Sequence, residues 1–341
     1  MPTENPNESR GAPDRPGDMP RAGWLAILKR SLQQFSHDDV TDRAAALTFF
    51  GVQALFPAVL ALISVLGFLG KSTTDKVLNN LEQLAPSSVK SFLTTVIHQV
   101  EGKAGAAGIA AIVGLLLALW SASGYVAAFT RAANSIYEVD EGRPIWKTAP
   151  VRLLVTLALV VMLVIALLII VVTGPIATQA GKAFGIGDTA VLIWDIAKWP
   201  VLLIVVVLML ALLYQATPNV KQPKIRWITA GSVIAVVIWL VASALFALYV
   251  SFSGSYNKTY GSLATVIVFL VWLWITNIAI LLGVEFNAET QRERAIRAGM
   301  PADLEPFAEL RDTRKLQDTE KRQAEHAAEV RRRTMSDTES S

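Results

Sequence analysis

TYGSLATVIVFLVWLWITNIAILLGV, residues 259–284, runs for 26 positions without an Asp, Glu, Lys or Arg and closes on Glu285. An α-helix of about 20 apolar residues spans roughly 30 Å of hydrocarbon, so this stretch is long enough to cross a bilayer. Five more charge-free windows precede it, at 44–70, 104–130, 153–181, 199–220 and 227–257. Each is mostly Leu, Ile, Val, Ala, Phe and Trp. Backbone amides in lipid must be satisfied within a helix or a closed barrel, and these windows lack barrel-type alternation. A soluble fold would need more polar surface than a chain that is 53% hydrophobic with a mean hydropathy of +0.44 can supply. The expected fold is therefore all-α: a polytopic bundle of six transmembrane helices, over about 44–70, 104–130, 153–177, 199–217, 228–252 and 262–285.

Outward from the spans, the chain divides into an N-terminal arm, residues 1–23, a membrane domain, 24–290, and a charged tail, 291–341. The arm holds five of the 15 prolines and no apolar run, so neither a signal peptide nor a stable helix is expected there. Opposite charges alternate along the tail, which reads as a solvated helix or a disordered segment. Between arm and first span, Trp24, Leu28, Leu32 and Phe35 recur at helical spacing beside Lys29 and Arg30. That fits an amphipathic helix lying at the headgroup level or one packed against the bundle, and the sequence leaves both open. A similar pattern from Val77 to Val100, split by Pro86, predicts amphipathic helices over the outer face.

Sidedness follows from Lys and Arg, which accumulate on the cytoplasmic side. Of the 31, 24 fall in the arm, the alternate loops and the tail that six spans place together, against 7 in the other loops. Both termini are expected in the cytoplasm. Proline placement agrees: Pro150 and Pro200 stand near predicted helix starts, where a missing amide proton costs little, and Gly174 and Pro175 near an end. Pro57 falls mid-span and predicts a kink, as a hinge or as a packing feature.

Polar groups near lipid are the residues with something to explain, because each costs free energy unless paired or wet. Asp42, Arg43, Arg131, Asn134, Asn219, Arg226 and Glu285 should converge on the cytoplasmic level, with Asn277 deeper on the same helix face as Glu285. Glu285 is expected to pair with Arg43, Arg131 or Arg226. Ordinary interfacial anchors and inter-helix ion pairs would account for the same set. Nearer mid-depth the candidates are sparse, Thr48, Gln53, Ser121, Ser123 and Asn277, and no carboxylate or His lies there to relay a proton.

Hydrolytic chemistry finds little footing. The histidines, His37, His98 and His326, are far apart in sequence, so no two can hold a metal from one element. Clustered carboxylates that would bind nuclease metals are not visible, nor is a phosphate-binding glycine loop, a GxSxG elbow or HExxH. With no cysteine, thiolate chemistry is excluded. No metal or cofactor is implied, and the tail offers only Phe307 for base stacking, so no nucleic-acid partner is expected. Membrane lipids are the expected partners, with envelope proteins or further copies of this chain as candidates.

Five segments, AAALTFFGVQALFPAVLALISVLG (44–67), LWSASGYVAAFTRAANSIYEVDEGRP (119–144), LLYQATPNV (212–220), SGSYNKTYGSLATVIVFLVWLWI (253–275) and LLGVEFNAE (281–289), together resemble the bacterial YihY/BrkB family of inner-membrane proteins. The resemblance covers about residues 23–291. It implies a six-helix plasma-membrane protein without a settled activity; the family long carried the name ribonuclease BN, generally regarded as mistaken, and one branch is known for serum resistance. Carried over by position, its motif residues here are Pro57, Asn134, Pro218, Asn219, Tyr260, Gly261, Trp272, Gly283 and Glu285, with no role attached. The leading expectation is a non-enzymatic membrane protein that moves or accommodates a solute or lipid. A structural or docking role is the alternative, with deletion after Pro301 as the expected discriminator. An RNA-processing enzyme stands third.

Overall fold

The computed structural model describes residues 13, 16–68, 107–171, 188–223, 225–252 and 263–323, with some side chains at helix ends left out. Among the described residues, a short 3-10 turn, Pro16–Asp18, leads into seven long helices: α1 (Arg21–His37), α2 (Val40–Phe68), α3 (Ala107–Ile136), α4 (Ile145–Val171), α5 (Asp188–Ala216), α6 (Ile225–Phe252) and α7 (Leu263–Arg297). Helices α2 to α7 occupy the six charge-free windows in order. Among the described residues, four segments are long and apolar enough to cross a membrane: Ile145–Ile170, Ile193–Ala216, Thr229–Phe252 and Val266–Arg297. The predicted outer-loop helices at 77–100 and the turn carrying Tyr260 and Gly261 lie outside the described residues, as do Gly174 and Pro175.

Each of α2 to α7 packs on its chain neighbour, and α7 returns to α2, closing an up-and-down ring with a further α7–α3 contact across it. Close approach depends on small residues. At Gly283 an added Cβ would lie 2.8 Å from the Ala235 Cβ and 2.9 Å from the Gly231 carbonyl, so α6 and α7 meet backbone to backbone there. Trp239 and Trp272 fasten the same seam through Thr276 Oγ1 (3.1 Å) and Ser243 Oγ (3.2 Å).

Side chains sort by depth and direction. Val40, Leu47, Phe129, Tyr137, Tyr214, Val220, Leu281 and Val284 form a buried core toward the end of the ring that carries α1. Outward, Trp146, Leu154, Ile196, Trp199, Ile204, Leu208, Val237 and Leu245 are exposed. In water so much apolar surface would be an aggregation liability; against acyl chains it costs nothing.

Several sequence expectations change. Helix α1 buries Gly23, Ile27 and Ser31 against α7, with Trp24 stacked on Phe286 at 5.7 Å. Leu25, Leu28 and Leu32 stay exposed, so the stripe read as one face is divided between protein and surroundings. Helix α5 begins at Asp188, about three turns before its apolar window, which makes Pro200 an interior residue rather than a helix start. Asp195 and Lys198, paired at 3.1 Å, occupy the turn ahead of it. Pro150 likewise stands inside α4, and α2 is helical on both sides of Pro57. Beyond residue 290, α7 continues two more turns and stops at Gly299, whose φ of +100° lets Met300 N–H reach the Ala295 carbonyl at 3.0 Å.

Candidate functional site: a polar rim at one end of the bundle

The last turns of α3, α5 and α7 and the first of α2, α4 and α6 meet at the α1 end of the ring. Antiparallel neighbours alternate ends, so charges that flank apolar windows collect in one layer. Asn219, just past α5, organises it. Its main-chain N–H donates to Asn134 Oδ1 (2.7 Å), and its Nδ2 donates to the carbonyls of Asp140 (3.0 Å) and Asp312 (2.9 Å). Its Oδ1 accepts from Asp312 N–H (3.1 Å) and its carbonyl from Arg311 N–H (2.9 Å). A buried asparagine can hardly be better satisfied. Asn134 completes the link by donating to Glu141 Oε2 at 3.0 Å.

Arg143, also buried, forks onto Glu141 (2.7 and 2.6 Å) and donates to the Thr217 carbonyl at 2.6 Å. Burial pushes the Glu141 carboxyl up, but the Arg143 hydrogen bonds and charge, helped by Asn134, hold it below the usual carboxylate range. The tail seals this layer. Val220 and Leu310 pair as an antiparallel bridge, Lys221 N–H donates to the Glu309 carbonyl (2.8 Å), and Lys315 N–H to that of Gly142 (2.9 Å). Lys147 and Lys221 pair with Asp312 and Glu309.

A second network binds α1 to the extension of α7. Arg30 bridges Glu289 (2.5 Å) and Glu293 (2.8 Å), and Arg297 shares Glu293 at 2.8 Å. Arg292 lies over the Phe307 ring and pairs with Glu289, Glu138 and Glu305. Burial and the nearby Glu305 charge raise the Glu138 carboxyl.

Glu285 stands apart. It is 1% exposed, its Oε1 has no hydrogen-bond partner, and its carboxyl faces that of Asp38, itself 6% exposed with Oδ2 unpartnered. The expected arginine pairing is absent for the partners whose side chains are described. Arg43 donates to the Asp38 main-chain carbonyl (2.6 Å), and Arg131 is exposed, with its guanidinium 5.8 Å from the Phe50 ring centre. Side-chain reach explains the difference: Arg43 is held at the α1–α2 turn, and Arg131 points to the outer side of α3. The Arg226 side chain lies outside the described residues.

Of the sequence candidates, Arg43, Arg131 and Asn134 line one open depression with Asp38, Glu138 and Asp140. Asn219 lies beside it, Glu285 beneath, and Asp42 is exposed on the first turn of α2. Asn277 is deeper: Tyr125 Oη donates to its Oδ1 (2.8 Å) and its Nδ2 donates to Thr48 Oγ1 (3.1 Å), which joins α2, α3 and α7. Leu281 is buried between Asn277 and Glu285 on the α7 face turned inward. Missed from the sequence were Asp38, Glu141, Arg143, Glu289, Arg292 and Asp312. The charge density of 138–143 and 289–297 was a signal; pairs such as Arg143–Glu141 are local, but those of Arg30 and Lys147 are tertiary. Among the described residues no three His, Asp or Glu side chains are grouped to hold a metal.

The chain is similar to the ribonuclease-like protein YfkH of Bacillus subtilis (strain 168), at 30% identity over 80% of this chain and 98% of that one. It is 28% identical to a UPF0761 membrane protein of Idiomarina loihiensis, over 76% of this chain and 88% of the relative. A UPF0761 membrane protein of Alkalilimnicola ehrlichii is 29% identical over 79% of this chain, which spans only 60% of that relative's length. No solved structure matches. The model of the virulence factor BrkB family matches residues 31–305, from inside α1, through the whole ring, to the start of the tail segment that seals the rim, and the chain belongs to that family of membrane proteins.

Proposed function

We propose that this protein spans the bacterial plasma membrane six times with both termini in the cytoplasm, and that it is not an enzyme but accommodates a solute or lipid through its polar rim. The observation that carries this reading is Glu285. Every side-chain nitrogen and oxygen of Asn219 has a partner, whereas Glu285, in the same layer, keeps a buried oxygen with none. A buried polar oxygen without a partner costs about 1–3 kcal/mol, so folding alone gives little reason to keep it. The positive-inside excess and the shared location of α1 and the tail at one end support the orientation.

The test is Glu285→Gln, which preserves shape and removes the ionisable group. An envelope-resistance or transport phenotype should be impaired while protein level and dispersity stay normal; unimpaired function would remove the reading. Legacy naming of a relative as ribonuclease-like is checked with purified protein, divalent metal and tRNA, and no cleavage is expected.

A docking role is favoured by one observation, the capture of residues 307–315 by the rim. It also changes how that role must be tested. Deletion after Pro301 would remove the segment bonded to Asn219 and Gly142 and so damage bundle and docking alike. Truncation after residue 323 leaves the rim intact: loss of function there would favour docking, and retained function a role centred on the bundle.

A further inference from the structure

The outer side of α3 and the first turns of α4 enclose a groove of about 290 Å³, with Trp120, Val126 and Val151 on its apolar wall and Arg131, Arg152 and Thr148 among its polar atoms. Its charges are unbalanced. Glu141 is consumed by Arg143 at 2.6 Å, which leaves Arg131 and Arg152 without an ion pair among the described residues. Arg152 holds its guanidinium 4.8 Å from the Trp120 ring centre, and its buried Nε–H has no acceptor.

Position and surroundings say what would fill it. Arg131 directly follows the charge-free window 104–130 and Arg152, two turns into α4, directly precedes 153–181, so both stand near the same end of long apolar stretches. Leu116 and Trp120 on α3, and Ile145, Trp146 and Leu154 on α4, flank the groove and are 56–77% exposed. Guanidinium groups above a continuous apolar surface suit an anion carried on acyl chains, and Arg forms strong paired hydrogen bonds to phosphate. A purely structural Arg152 would need only the indole face.

We propose that this groove seats the headgroup of an anionic glycerophospholipid, with Arg131 and Arg152 facing its phosphate. This rests on the reading of α3 and α4 as membrane spans but is independent of Glu285. Full-length protein purified in neutral detergent is incubated with phosphatidylglycerol or phosphatidylcholine, and retained lipid is counted by native mass spectrometry. Preferential retention of phosphatidylglycerol is expected, falling about tenfold in the Arg131→Gln/Arg152→Gln double variant with phosphatidylcholine unchanged. Arg131→Gln alone, at an exposed position, gives a partial loss and covers the case in which the double variant does not purify. Equal retention of both lipids, or a preference untouched by either variant, overturns the proposal. Displacement of the lipid by millimolar inorganic phosphate would overturn it in favour of a free anion. If the arginine variants lose the lipid while Glu285→Gln behaves as wild type in cells, the groove stands and the rim reading falls. The reverse pattern sinks the groove alone.

Discussion

Asn219 and Glu285 occupy the same layer, and folding has treated them in opposite ways. Around Asn219, the α3–α4 loop and the tail converge so that each donor and acceptor of the amide is used. Around Glu285, the α1–α2 turn brings an acid, Asp38, and no base among the described side chains. The difference separates polar groups that the architecture requires from those that it merely tolerates, Glu285 among them. Net hydrogen bonds add about 1 kcal/mol each, but a stranded buried group costs 1–3. Asn219 is therefore expected to govern stability and Glu285 to govern activity.

The contrast can be broken most forcefully by removing the tail. Truncation after Pro301 strips the Asn219 amide of two partners and uncovers Phe307's place in the core, so little monodisperse protein should elute in size-exclusion chromatography. Truncation after residue 323 should elute as the full chain does. Asn219→Ala comes next, with a loss of about 3 kcal/mol, because carbonyls of Asp140 and Asp312 and the Asp312 amide are stranded together. A thermal melt in detergent that moved by only a degree or two would show that the node is not structural.

Arg143→Lys should cost about 1–2 kcal/mol, since an ammonium cannot fork onto Glu141 while reaching the Thr217 carbonyl. Glu141 also supplies a pH handle. Its carboxyl is held below the usual range in the fold, so its contribution is present above the unfolded value of about 4.3 and is lost as pH falls through the lower folded value. Acid melts of the wild type should steepen below about pH 4, and Arg143→Gln should flatten that limb. The smallest stability effect is expected from Glu285→Gln, under about 1 kcal/mol in either direction, since a carboxyl without an ion pair among the described residues gives up no Coulomb attraction on becoming an amide. A large destabilisation there would place Glu285 with Asn219 and erase the distinction.

How much of this was legible depended on range. The helices at the charge-free windows were readable because charge and length act locally: each window must satisfy its own backbone whatever its neighbours do. Convergence of Arg43, Asn134 and Asn219 was readable for the same reason, since antiparallel neighbouring helices return window edges to one level. Pro200 was misread because α5 extends past its apolar window through Asp195 and Lys198, whose mutual pairing does not show in hydropathy. Whether Glu285 meets Arg131 was not legible, because proximity in depth does not determine which way Arg131 points around α3.

By itself the sequence determined that this chain lives in a membrane, which segments form its helices and which residues gather at one end, because hydrocarbon enforces those outcomes segment by segment. Only the tertiary structure decided that the tail closes the rim and that Glu285 meets Asp38. Those choices turn on the rotation of each helix about its axis and on chain segments 90 or more residues apart, as in the Asn219 to Asp312 bonds. Burial periodicity limits such rotations and connections but does not select among them.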